Sequence, residues 1–184
     1  MHGPLNLNVN IYRSIEVPHY SALINRNTGG RCDVSPIFEH PDAFSALVRD
    51  LLAPIVNSEV TAVAAIDALG FVLGTALAHQ LTVPLVLIRK GGKLPTAIDR
   101  ESFVDYSGAE KVLEIKNGSI RSGARILVVD EWIETGAQAQ AAAALIERQG
   151  GQVIGICAIN IDDRPATRGL ASRYHCWSAV SNTK

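Results

Sequence analysis

Cysteines, aromatic residues and an excess of either charge are all scarce in this chain of 184 residues. The three cysteines, Cys32, Cys157 and Cys176, are odd in number, far apart and in no Cys-x-x-Cys pair. That argues against a disulfide framework and a zinc knuckle, and points to a reducing compartment. The five histidines (His2, His19, His40, His79, His175) show no i, i+4 or other ligand spacing, so no resident metal is expected from them. The 17 basic and 18 acidic side chains leave none of the basic excess that binding to nucleic acid or an anionic membrane requires. Fifteen glycines and eight prolines are too few for a collagen-like or disordered chain. No uninterrupted apolar run reaches the ~18 residues of a membrane span, and the first residues have neither the basic nor the apolar stretch of a secretion signal. A cytoplasmic protein is the expectation.

What is present is an ordinary core-forming composition, 47% hydrophobic. A chain of this length removes about 70% of its unfolded surface from water and needs no staple. With no repeat, low-complexity tract or linker, residues 1–184 read as a single domain. Two hydrophobic periods alternate along it. Continuous β-branched runs at Val60 to Ile66, Val83 to Ile88, Arg125 to Asp130 and Val153 to Asn160 suit strands buried on both faces. Helical stretches lie between them at Phe71 to Gln80 and Gln138 to Arg148, the latter closed by Gly150-Gly151. An earlier amphipathic helix spans Pro41 to Asn57, with Phe44, Leu47, Val48, Leu51 and Leu52 at helical spacing. The order strand, helix, strand predicts an α/β fold, a mainly parallel twisted sheet flanked by helices. Phe103 to Tyr106 and Lys111 to Lys116 read as short strands, with a turn at Asn117-Gly118, forming a small β flap outside the main sheet, within a loop-and-flap region at roughly 89–118. Residues 1–35 read as loop and short helix.

In open α/β sheets ligands gather beyond the carboxyl ends of the strands. Ile126-Leu127-Val128-Val129 delivers two adjacent acids, Asp130 and Glu131, to such an edge, and Thr135-Gly136 then opens a helix. Main-chain N–H groups at a helix start, with a Thr hydroxyl and the macrodipole, make an anion cradle. The acids suit hydroxyls or a hydrated cation. Four apolar residues before Asp-Glu also match a nucleotide-hydrolysing Walker B strand. That reading requires a Gly-x-x-x-x-Gly-Lys-Ser/Thr loop, and around Gly92-Lys93 the first Gly position is Leu87 and the last position is Leu94. The P-loop reading is therefore rejected, which leaves a ligand-binding strand end or one merely capped by solvated acids.

The segment Asp130 to Gln138 resembles the phosphoribosyl-pyrophosphate (PRPP) motif of type I phosphoribosyltransferases, two acids followed by Thr-Gly-Gly-Thr. Three further segments, in order, resemble the adenine branch of that family. Cys32-Asp33-Val34-Ser35-Pro36-Ile37 is similar to its Arg-Asp-Ile-Ser-Pro segment, and Asp67-Ala68-Leu69-Gly70-Phe71 to its Asp-x-Arg-Gly-Phe turn. Ile88-Arg89-Lys90-Gly91-Gly92-Lys93-Leu94-Pro95 matches its Ile-Arg-Lys-x-Gly-Lys-Leu-Pro loop. The resemblance implies transfer of ribose 5-phosphate from PRPP to a purine or related base, adenine by default, with release of pyrophosphate, by a Mg²⁺-assisted homodimer. It places Asp130 and Glu131 on the ribose, and Glu134, Thr135, Gly136, Ala137 and Gln138 around the 5′-phosphate. Asp67, Ala68, Leu69, Gly70, Arg89, Lys90 and Lys93 fall on pyrophosphate, and Asp105 in a catalytic role beside the accepting base. Arg31, Cys32, Tyr106 and Ile133 fall in the base pocket. Mg²⁺ would arrive with PRPP near Asp130 and Glu131, with no direct side-chain ligand expected. The departures are Leu69 and Cys32 where the family has Arg, Asp105 where it has Glu, and Glu134, Ala137 and Gln138 in the phosphate loop. They keep open a non-catalytic PRPP- or nucleotide-binding sensor of the same fold.

Overall fold

In a computed structural model, which describes residues 19–29 and 32–180, the apolar runs form neighbouring strands. Ala62 to Ile66 and Ile126 to Val129 are buried on both faces as expected. The run at Val83 to Ile88 is buried on one face only, through Val86 and Ile88, and leaves Leu87 42% exposed on the other. The chain divides into two compact units, residues 1–46 and 47–184. In the first, a 3₁₀ turn at Tyr20–Leu23 precedes an antiparallel bridge between Asn25 and Asp33. The Asp33 carboxylate then accepts from the Ser35 N–H (2.9 Å) and hydroxyl (2.5 Å), and with Pro36 in the first turn it opens helix α1 (Ser35–Glu39). Helix α2 (Pro41–Leu52) crosses the unit boundary. It stops earlier than the periodicity predicts, because Pro54 withdraws a donor and the chain tightens into a 3₁₀ turn at Ala53–Ile55.

The second unit runs β1 (Ala62–Ile66), α3 (Leu69–Leu81), β2 (Leu85–Lys90), β3 (Ile98–Val104), β4 (Glu110–Lys116), β5 (Arg125–Val129), β6 (Trp132–Ile133), α4 (Ala137–Arg148), β7 (Gln152–Ala158), β8 (Asn160–Ile161), α5 (Pro165–Arg173) and β9 (Cys176–Ser178). Seven strands form one sheet in the order β3-β4-β2-β1-β5-β7-β9. Strands β2, β1, β5, β7 and β9 are parallel. Every residue of β1 is buried, as its unbroken apolar run predicts. Even-numbered residues such as Ala64, Ile66, Ile88 and Val128 share a core with Ala139, Ala142 and Ile146 of α4. On the other face α3 crosses β1 so closely that a Cβ on Gly74 would lie 2.4 Å from the Ala65 Cβ.

Two expectations are corrected. The flap does not stand outside the sheet: β4 pairs antiparallel with β2 at Ile88 to Lys90, and β3 pairs along the length of β4. The hairpin turn is Asp105 to Ala109, while Asn117-Gly118 leads out of β4. Pairing partners are long-range facts that a local pattern does not contain. The chain beyond Asn160, assigned no element from sequence, adds α5 and β9. Pro165 and a reciprocal Arg164–Thr167 cap start α5, and β9 is only three residues long. All three cysteines are free, and no described helix is long and apolar enough to cross a membrane.

Candidate active site

Strands β1 and β5 are parallel neighbours, so the loops that follow them open at the same edge of the sheet. There the sequence carries Asp67 after β1 and Asp130-Glu131 after β5. Gly70 keeps the two loops together. A Cβ at that position would lie 3.0 Å from the Val129 carbonyl oxygen and 3.2 Å from the Asp130 Cα, so only glycine lets α3 begin so close to the end of β5.

Asp130 is 5% exposed. Its Oδ1 accepts from the Glu131 N–H at 2.8 Å and its Oδ2 from the Gln138 amide at 3.0 Å. Gln138 stands where the resembling motif has a threonine, and it holds the buried acid. Gly136, at φ +81°, turns the chain into α4, and Ala137 N–H reaches Thr135 Oγ1 at 3.4 Å. Neither α3 nor α4 has a side-chain N-cap or an acidic residue in its first turn. Both helix starts therefore keep their positive end-charge at this edge. Glu134 is half-buried in the connecting loop, and Ile133 joins the buried core.

The second half of the site is cationic. Arg89 Nε and Lys93 Nζ lie 3.5 and 3.6 Å from Asp67 Oδ2, and Asp67 is 6% exposed. The Arg89 Nη1 also donates to the Lys93 carbonyl at 3.2 Å. Asp67 Oδ2 and Arg89 Nε are buried without a hydrogen bond of full geometry. Buried polar atoms held by an ion pair alone are rare. Lys90 is not part of the group. It is exposed, and strand alternation sends it to the face opposite Arg89.

The β3–β4 hairpin projects over the same edge. Lys90 at the end of β2 pairs with Leu113, and β4 begins three residues earlier at Glu110, so the hairpin runs on by about 10 Å. Arg148 and Gln149, at the end of α4, hold β3 through the Arg100 carbonyl, Glu101 and Asp99. At the tip, Asp105 Oδ1 accepts from Ser107 N–H (2.8 Å), Ser107 Oγ (2.6 Å) and Ala109 N–H (3.2 Å). The Ser107 hydroxyl foremost holds this carboxyl below the ordinary Asp range, against a smaller opposing effect of burial. It is thus a carboxylate at neutral pH. Tyr106 beside it is 56% exposed. Cys32 belongs to the first unit, and Arg31 lies outside the described residues.

Two residues escaped the sequence reading. Glu114, in the middle of β4, is 1% exposed and pairs with Arg100 at 3.1 Å. Asp162 accepts from Trp132 Nε1 and from the Asn160 amide, both at 2.9 Å, and so ties β6 to β8. An acid inside an otherwise regular strand was the available sign for Glu114.

One edge of a mainly parallel α/β sheet thus gathers three acids, two uncapped helix starts and a basic loop. The chain belongs to the phosphoribosyl transferase domain family, which matches residues 34–183. It is 43% identical over 131 residues to an adenine phosphoribosyltransferase of Jannaschia sp., covering 71% of this chain and 72% of that one. A second relative of the same name, from Cereibacter sphaeroides, is 38% identical over 149 residues, 80% and 78% of the two chains. Among solved structures, an APRTase from Giardia lamblia complexed with 9-deazaadenine superposes with a TM-score of 0.82 at 25% identity, covering 90% of this chain and 97% of that one.

Proposed function

We propose that the protein transfers the ribose 5-phosphate of PRPP to adenine and releases pyrophosphate. The carrying observation is that Arg89 and Lys93 converge on the buried Asp67 carboxylate beside the loop that begins with Asp130. In this reading Asp130 and Glu131 accept hydrogen bonds from the ribose hydroxyls. Main-chain N–H groups from Thr135 to Gln138 hold the 5′-phosphate. Arg89 and Lys93 neutralise the pyrophosphate as the C1′–O bond breaks and the base nitrogen bonds to C1′ and gives up its proton to solvent. Mg²⁺ keeps most of its waters and binds through one or two carboxylates plus substrate phosphates. Asp130 and Glu131 fit an ion that is carried by PRPP and met through its waters, and the ion would neutralise pyrophosphate charge. The family resemblance supports a cytoplasmic homodimer. Incubation with PRPP, Mg²⁺ and a panel of nucleobases should give pyrophosphate release that depends on adenine. PRPP binding with no release on any base would make the protein a sensor instead.

The role proposed for Asp105 is to face, as a carboxylate, the positive charge that develops on the sugar. Its lowered pKa favours this over proton donation. Asp105→Asn keeps an Oδ1 acceptor for the turn and removes only the charge. It should lower kcat by about tenfold or more with PRPP affinity unchanged. An unchanged kcat would leave Asp105 as a turn cap alone.

A further inference from the structure

The basic loop lies beside a buried acid, Glu114. Strand register places Glu114 directly between Arg89 on β2 and Arg100 on β3. Its carboxylate is buried, with Oε1 paired to Arg100 and Oε2 left without a hydrogen bond of full geometry. The backbone amides of Gly92, Lys93 and Leu94 lie close enough to stabilise this carboxylate, none of them with a hydrogen bond of full geometry. Successive amides of this kind form a concave nest that binds an anion, and here the anion belongs to the protein. The loop that makes the nest is held tightly over β4. Gly91 N–H donates to the Val112 carbonyl at 2.9 Å, a Cβ on Gly91 would sit 3.3 Å from the Val112 Cβ, and Gly92 turns at φ +80°.

We propose that Glu114 is a positioning residue: by filling the nest of the Gly92 to Leu94 amides from inside the sheet, it fixes the loop in the shape that carries the Lys93 ammonium to Asp67 and its carbonyl to Arg89. The observed geometry follows from that. Lys93 Nζ and Arg89 Nε both reach Asp67 Oδ2, and the Lys93 carbonyl receives Arg89 Nη1. Four successive residues with two glycines would otherwise sample many conformations, and holding two long cations in one arrangement costs entropy. Glu114 meets that cost before pyrophosphate arrives. The amides, Gly92 foremost, together with Arg100 hold the carboxyl below the ordinary Glu range despite its burial, so the nest is charged at neutral pH.

The inference rests on the proposed pyrophosphate role of Arg89 and Lys93, and the experiment separates the two. Calorimetric affinities are measured for magnesium pyrophosphate and for AMP, which lacks a pyrophosphate group, in the wild type, Lys93→Ala, Glu114→Gln and the double variant. Lys93→Ala should weaken pyrophosphate binding; if the wild type binds none, or Lys93→Ala changes nothing, the underlying site reading fails. If Lys93→Ala weakens binding, Glu114→Gln should also cost about tenfold for pyrophosphate and less than about twofold for AMP. It should add little to Lys93→Ala, because the two act in series. Equal losses for both ligands, or fully additive losses in the double variant, would reduce Glu114 to a general structural role and overturn the proposal. Should Glu114→Gln fail to fold, Gly92→Ala serves in its place. Its Cβ meets nothing within 4 Å but its φ is positive, so it deforms the loop alone. The same selective loss is expected, and its absence would overturn the proposal.

Discussion

Asp130→Asn is expected to reduce PRPP affinity and turnover by roughly 10- to 100-fold while the protein stays folded. A hydrogen bond to a charged group contributes about 1.5–3 kcal/mol, and each 1.4 kcal/mol is a factor of ten. The amide keeps one acceptor for the Glu131 N–H. Its new N–H₂ group faces the Gln138 side chain, which can reverse its own amide and accept. The fold is therefore spared, and only the ionised acceptor on the ribose is lost. Glu131→Gln should have a smaller effect in the same direction, because Glu131 is half-buried and better screened than Asp130. Titration calorimetry with PRPP and Mg²⁺, alongside a thermal melt, decides the matter. Unchanged affinity and turnover in both variants would leave the two acids as strand-end caps.

Gly74→Ala is expected to destabilise the protein, opposite in sign to the usual effect. Replacing Gly by Ala inside a helix ordinarily stabilises by about 1 kcal/mol. Here the new methyl would lie 2.4 Å from the Ala65 Cβ and 3.3 Å from Leu85 Cδ1. The first of these atoms is bonded directly to the backbone of β1 and has no rotamer into which it can move. Overpacking of this kind costs about 1–3 kcal/mol or more, which outweighs the helix gain. The melting temperature should fall by several degrees, at about 2–4 °C per kcal/mol for a chain of this size. A higher melting temperature would mean that α3 does not lie against β1 at the distance described. The same variant should weaken PRPP binding, since α3 carries Gly70 and the turn after Asp67.

Much of the fold was legible because its signals are local. Val63 to Ile66 and Ile126 to Val129 are apolar without a break, and a strand buried on both faces is the structure that needs such a run. The acids at 67, 130 and 131 were equally legible, since each ends such a run. The hairpin was seen as two strands but misplaced, because its partner β2 is distant in sequence and β2 gives no local sign of its neighbour. Strand β9, three half-buried residues, was too short to show a period. The role proposed for Asp105 comes from the resemblance, while the hydrogen bonds from Ser107 and Ala109 show a turn cap that the sequence did not announce.

The order of periods along the chain, the acids at the ends of two buried runs and the glycine-punctuated basic loop are properties of the amino-acid sequence itself. They determined the α/β class and the charges available at the edge, because hydrophobic period and charge act over a few residues. Which charges meet was decided by the tertiary structure. Arg89 and Lys90 are adjacent and look equivalent in the sequence, yet the pleat of β2 sends only Arg89 to Asp67. Lys93 joins it because Glu114, more than twenty residues further along the chain, is carried by antiparallel pairing beneath the loop. Gln138 reaches Asp130 because α4 starts where β5 ends. Coulomb and hydrogen-bond energies depend on separation in space, and separation in space is settled only when the whole sheet has formed.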